Sequence, residues 1–145
     1  MHKVIEGVDV FVGVRKGNLL TADDVLWMNS NSMVFGMANP QPGIDPDEAR
    51  RGGAAVIGTG RGDDPNQVNN LLALSGIFRG ALDARANRST ESMKIAVSRA
   101  LAAATSDISA ERILPDLLDR TVAACVAKAV AKGALGEKAI FCAHA

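Results

Sequence analysis

Apolar residues along this chain follow two regimes. Up to the third apolar run they come in short stretches bounded by turn formers, and beyond Ala86 they recur at helical spacing. Val8-Asp9-Val10-Phe11-Val12-Gly13-Val14, Ser32-Met33-Val34-Phe35-Gly36-Met37-Ala38 and Ala54-Ala55-Val56-Ile57 read as strands. The Ala54–Ile57 run, which ends on a glycine, is expected to be covered on both faces. Short helices separate the strands. Met1 to Gly7 reads as the last turns of a helix, and Thr21-Ala22-Asp23-Asp24 has capping-box spacing with Asp24 in the place of the commoner Glu. Asp45-Pro46-Asp47-Glu48 starts another helix, with Pro at its first position and Glu48 placed to complete a capping box. Arg50-Arg51-Gly52-Gly53 ends it. Strands alternating with short helices argue for an α/β fold with a parallel sheet and crossover helices.

The later segments are helical. Leu71 to Gly80 is apolar nearly all round, with Gly76 and Gly80 one turn apart, which predicts a buried helix whose backbone comes close to a neighbour. Thr90 caps a helix carrying Met93, Ala96, Val97, Ala100, Leu101 and Ala104 on one face. After Pro115, a second helix places Leu118, Val122, Cys125, Val126 and Ala129 on its core face and is expected to stop at Gly133. Ala139-Ile140-Phe141 is a candidate further strand. No internal repeat or low-complexity linker is present.

Composition narrows the function classes. A chain of 145 residues that is 48% hydrophobic makes one ordinary domain with a real core. Sixteen basic and sixteen acidic residues give zero net charge, with no basic stripe to compensate a phosphate backbone. Four Phe, one Trp and no Tyr supply little base-stacking surface, so nucleic acid is excluded as the expected partner. Cys125 and Cys142 are far apart and read as reduced cytosolic thiols. No stretch approaches the roughly 20 apolar residues of a membrane helix, so the expectation is a soluble, cytoplasmic protein with no membrane partner.

Polar residues that could carry chemistry gather after the Ala54 strand. Gly58-Thr59-Gly60-Arg61-Gly62 could bring backbone N–H groups against a phosphate or carboxylate, or could be only a tight turn. Asn69 and Asn70, where this loop meets the next helix, can hydrogen-bond a ligand in the crevice at the carboxyl end of the strand, or cap the helix. Asn39 before Pro40 is either a ligand contact or a turn residue. His2 and His144 sit at the chain ends, and no pair of residues has transition-metal spacing. Asp23-Asp24, Asp45-Asp47 and Asp63-Asp64 read as caps and solvated loop charges, and Cys125 as a core residue. No residue is assigned a catalytic or metal-binding role.

Thr59-Gly60-Arg61-Gly62-Asp63-Asp64-Pro65-Asn66-Gln67-Val68-Asn69-Asn70 followed by Gly76-Ile77-Phe78-Arg79-Gly80-Ala81-Leu82-Asp83 closely resembles the bacterial malic enzymes, in the C-terminal part of their nicotinamide-binding domain. Asp9 to Val14, Val34 to Pro40 and Thr90 to Lys94 extend the resemblance over Gly7 to Lys132. It departs at Gly62, where the family usually has Ser, at Asp64, where it has an aromatic, and at Leu74-Ser75, where it has Phe-Pro. The resemblance implies a partial Rossmann-like parallel sheet of about three strands with C-terminal helices, the whole of 1–145 being the C-terminal portion of an NAD(P)-binding domain. It further implies oxidative decarboxylation of malate to pyruvate with NAD or NADP and a divalent metal, Mg²⁺ or Mn²⁺. Asn39, Asn69 and Asn70 would contact malate, and Asn39, Gly58, Thr59, Gly60 and Asn69 the dinucleotide.

The family's catalytic Tyr and Lys, its acidic metal ligands and its glycine fingerprint come from parts N-terminal to this segment. The chain alone is therefore expected to be inactive, with NAD or NADP binding weak or absent. A non-catalytic dinucleotide- or malate-binding module, an oligomerising module, or one chain of a split enzyme are the alternatives. A partial sheet should also present an open edge near Val10, Val12 and Val34, closed by a second copy in a homodimer or by the missing N-terminal half.

Overall fold

The computed structural model describes residues 2–136. Ala139-Ile140-Phe141, Cys142 and His144 lie outside the described residues, as does the side chain of His2. The chain divides into two compact units: residues up to 69 with 108–113, and residues 70–107 with 114 onward.

The first unit is a small α/β layer. In chain order it contains α1 (His2–Ile5), β1 (Val10–Gly13), α2 (Ala22–Leu26), β2 (Met33–Gly36), α3 (Pro46–Arg51) and β3 (Val56–Thr59). The strands lie in the order β1-β2-β3 and both pairings are parallel, as the alternation of strands and helices predicts. Local chemistry sets the helix starts. Thr21 Oγ1 accepts from the Asp24 backbone N–H while the Asp24 carboxylate accepts from Thr21 N, completing the expected capping box. Asp45 caps α3 by accepting from Asp47 N and Glu48 N. Glu48 does not complete a box there; its carboxylate pairs with Arg51 one turn on. At the close of α1, Gly7 takes a left-handed φ of +72° and donates its N–H to Trp27 O at 2.9 Å.

Register separates the two faces of the sheet. Phe11, Val34 and Ile57 are cross-strand partners and share one face. They pack there with Ile5, Leu20, Val25, Met28, Ile44 and Ala49. Val10, Val12, Met33, Phe35 and Val56 share the other face, where Val10 is 42% and Val12 56% exposed. The exposure lies at β1; in β3, expected to be covered on both faces, Val56 and Ile57 are half-buried and Gly58 and Thr59 buried. Val34, expected beside an open edge, is fully buried because it belongs to the helix-covered side. The third strand also begins later than Ala54. Ala54 N still bonds back to Ala49 O, so the ladder starts once the chain has cleared the end of α3.

The second unit holds α4 (Leu71–Asp83), α5 (Glu91–Ala104) and α6 (Arg120–Leu135). Leu72, Met93, Val97, Val122, Val126 and Val130 form its core. Gly76 and Gly80 permit the expected close approach: a Cβ on Gly76 would lie 2.6 Å from Val126 Cβ, and one on Gly80 would strike the Ala127 carbonyl. Yet α4 is not buried all round, since Leu71, Leu74, Phe78 and Leu82 form an exposed stripe. Thr90 caps α5 as expected, its hydroxyl accepting from Met93 N. The frame of α6 differs from the sequence expectation. Asp119 is its cap, so Leu118 precedes the helix and is exposed, while Cys125 is a free, exposed thiol. Gly133 lies inside the helix against Met93, and the chain turns out at Gly136 with φ +74°. Among the described residues no helix is long and apolar enough to cross a membrane.

Candidate functional site

Parallel pairing sets Gly13, Gly36 and Thr59 side by side where the three strands end. Loops leaving that carboxyl edge are where open α/β sheets hold ligands. Asn39 stands three residues beyond β2, exposed, and the Asn39–Pro40 peptide is cis. Gly60 is the first residue after β3. A Cβ there would meet nothing closer than Met37 O at 3.8 Å, which places Gly60 beside the start of the Asn39 loop with open space around it.

Gly58 and Thr59 are placed differently. Both are buried. A Cβ on Gly58 would lie 2.9 Å from Phe35 and 3.0 Å from Val68, so this glycine serves packing between the strand and its own loop. The Thr59 hydroxyl donates to Asp64 and accepts from Arg61 N at 3.1 Å. Its side chain is thereby committed to the loop, and only backbone groups near it remain for a ligand.

The loop from Thr59 to Val68 is closed on itself. Thr59 N donates to Asn66 O at 3.1 Å and Val68 N to Thr59 O at 2.7 Å, while Gln67 forms a parallel bridge with Thr59. At its tip Arg61 pairs with Asp63, Nε to Oδ1 at 2.9 Å. Hydrogen bonding from that guanidinium lowers the Asp63 carboxyl from 3.8 to about 2 and raises Arg61 in return. The chain is thus returned to the carboxyl end of β3 just before Asn69, which is half-buried.

Asn70 follows by one peptide bond and opens the second unit. It occupies the N-cap position of α4 with helical φ −65° and ψ −16°, and makes no side-chain cap hydrogen bond. Its carbonyl accepts from Ala73 N and Leu74 N. The helix-cap reading of the Asn70 side chain is therefore not realised, and this exposed amide is left facing outward from the first turn.

Sequence reasoning missed Asn66. It is only 2% exposed, and its side chain donates to Ile57 O at 2.9 Å and Ala110 O at 2.7 Å while accepting from Ile113 N at 3.0 Å. Residues 108–113, held in a tight turn by reciprocal Ser109–Arg112 backbone bonds, are thereby fastened along β3. Asp64, read as a solvated loop charge, is instead half-buried and bonded to Thr59. No group of three or more His, Cys, Asp or Glu that could hold a metal occurs among the described residues.

Residues 53–135 match the family model described as malic enzyme, NAD binding domain. The chain is 52% identical over 137 residues to the bifunctional malic/malolactic enzyme of Bacillus subtilis (strain 168), covering 93% of this chain and 33% of that protein. It is 43% identical over 136 residues to the NAD-dependent malic enzyme of Geobacillus stearothermophilus, covering 92% of this chain and 28% of the other. Among solved structures, malic enzyme from Pyrococcus horikoshii Ot3 superposes with a TM-score of 0.89 at 41% identity, over 94% of this chain and 32% of that one. The chain thus spans 33% and 28% of the length of these two curated relatives.

Proposed function

The chain belongs to the malic enzyme family, and from that premise we propose that it is the C-terminal portion of a malic enzyme's NAD-binding domain, contributing dinucleotide and malate contacts to oxidative decarboxylation of malate to pyruvate. The observation that carries this reading is the alignment of the Asn39 loop and the Gly60–Asn69 loop at one carboxyl edge. Gly60, with open space around it, can bring its backbone against the dinucleotide, and Asn39 and Asn69 can hydrogen-bond it. Gly58 and Thr59 shape that shelf from beneath. Asn39 and Asn69 orient malate through side-chain amides, which both donate and accept and so suit carboxylate and hydroxyl groups together, and Asn70 is assigned to malate by the family resemblance alone. The cofactor is NAD or NADP. Mg²⁺ or Mn²⁺, which would supply Lewis acidity in the complete enzyme, has no ligand set among the described residues. A free thiol at Cys125 supports a reducing, cytoplasmic setting.

Titration calorimetry of the purified chain with NAD⁺, NADP⁺ and malate tests the reading. Asn69→Ala should weaken dinucleotide binding by about tenfold or more, equivalent to about 1.4 kcal/mol. With the family's glycine fingerprint outside this segment, binding by the chain alone is weak, and binding unchanged by the substitution would overturn the reading. The chain alone should show no malate-dependent reduction of NAD or NADP, and turnover of even about 1 per second would contradict the assignment of the acid–base pair and metal site to other parts of the family's chain.

A second reading, an oligomerising module, is favoured by the exposed Val10, Val12 and Met33 on one face of the sheet. A homodimer or pairing with an N-terminal malic-enzyme segment would cover them. Light scattering at micromolar concentration distinguishes these from a monomer.

A further inference from the structure

We infer that Asn66 is the positioning residue for Asn69, and through it for the ligand-binding end of the site. This rests on the reading of Asn69 as a ligand-binding amide. Two separate stretches converge on one buried side chain through three bonds: β3 through Ile57 O, and the 108–113 turn through both Ala110 O and Ile113 N. The residue's own carbonyl takes the Thr59 N–H. With three side-chain bonds and one backbone bond made, Asn66 is fixed against both the strand and the turn.

Two residues on, Val68 N is bonded to Thr59 O at 2.7 Å, and Asn69 follows at once. Little backbone freedom remains between the anchor and the proposed ligand amide. A position held in this way needs no ordering when a ligand arrives, which is the advantage of preorganisation.

The residue type is specific to the task. The two N–H groups of the amide face carbonyl oxygens, and its oxygen faces an N–H. An aspartate of the same shape would set a carboxylate oxygen against the Ile57 and Ala110 carbonyls with no proton between them. An alanine would leave all three backbone groups without this partner. Asn66 touches no reacting group on this account and acts only through Asn69.

The test uses the full 145-residue chain and the variants Asn66→Asp, Asn69→Ala and the double substitution. Amide hydrogen exchange at Thr59, Val68 and Ile113 should quicken by about tenfold or more in Asn66→Asp, while amides of α5 and α6 keep their wild-type rates. Affinity for NAD⁺ should fall by about tenfold, and the double variant should bind no more weakly than Asn69→Ala alone, because both changes act through one group. Unchanged exchange at those amides, or affinity losses that simply add, would overturn the inference. Asn69→Ala binding NAD⁺ as tightly as the wild type would overturn the ligand reading of Asn69 and with it the ligand end of this inference, while exchange would still report on the anchor by itself. Asn66→Ser, which is smaller and sets no carboxylate against the Ile57 and Ala110 carbonyls, gives a graded version of the same readout should the aspartate variant not fold.

Discussion

The two outer edges of the three-stranded sheet are finished in opposite ways. Along β3 three outward groups are taken up: Ile57 O by Asn66 Nδ2, Thr59 N by Asn66 O, and Thr59 O by Val68 N. Along β1 nothing among the described residues does this. Asp9 O and Gly13 O accept from Met33 N and Met37 N on the β2 side, so the alternate residues Val10 and Val12 direct their N–H and C=O groups outward. Their side chains stand exposed on the uncovered face as well. Proteins normally blunt a true edge with lysine, proline or a bulge, and Val10–Gly13 carries none of these. The closed edge carries the loop that ends at Asn69, while the open one leaves the outward backbone groups of Val10 and Val12 and their side chains uncovered among the described residues.

The strongest way to break the comparison is to unseal β3. Asn66→Ala removes three hydrogen bonds from a buried site and leaves Ile57 O, Ala110 O and Ile113 N without that partner. At about 1 kcal/mol or more for each, the first unit should lose about 3 kcal/mol, read as a lower urea midpoint at unchanged slope. An equal substitution on the open edge has nothing comparable to lose. A loss below about 1 kcal/mol would mean that water replaces the amide at little cost and that the edge is not sealed by this residue.

The two faces give the next largest contrast. Val34 is fully buried under the helices, whereas Val12 is 56% exposed on the opposite side. Val34→Ala should cost about 2 kcal/mol from lost burial and the cavity left behind. Val12→Ala should cost less than about 0.5 kcal/mol in a monomer. Should Val12→Ala prove the more damaging, and its effect grow with protein concentration, the open face is covered in solution by a second copy of the chain.

Features set by neighbouring residues were legible in the sequence. The Thr21–Asp24 capping box, the Thr90 cap and the small-residue approach at Gly76 and Gly80 need only local spacing, and all three are present. The parallel pairing of the strands was legible as alternation with helices. Harder was the facing of each element. In α6 the core runs through Val122, Val126 and Val130; Leu118 fell outside it because the helix begins after Asp119, and Cys125, inside the helix, is exposed. A one-residue choice in β2 decides whether Val34 or Met33 meets the helices, and an apolar run bears no mark of which. Asn66 was not legible at all. Its partners Ala110 and Ile113 lie 44 and 47 residues away, and nothing in the Pro65-Asn66-Gln67 string distinguishes an anchor from a turn residue. Asn39, Asn69 and Asn70 stood out as amides in segments that follow strands, each with a turn or cap reading beside the ligand one.

The smallest expected effect sharpens the view of the closed edge through pH. Asp63, at the tip of the loop that seals β3, has its carboxyl lowered from 3.8 to about 2 by the Arg61 guanidinium. A carboxyl whose folded value lies below its unfolded value contributes stability that is complete above the unfolded value and lost as pH falls through the folded one. The contribution is therefore full above about pH 4, declines between 3.8 and about 2, and is gone below that. Both partners are well exposed, so the effect is small and screened by salt. Wild type and Asp63→Asn should accordingly differ in melting temperature at pH 5 in low salt, with the wild type higher, and converge toward pH 2. Added salt of about 1 M should shrink the pH 5 difference, since the Debye length then falls to about 3 Å. A difference that persists undiminished at pH 2, where the carboxylate has been protonated, would place the stabilisation in some property of the aspartate other than its charge and remove the ion pair from the account of how this edge is held.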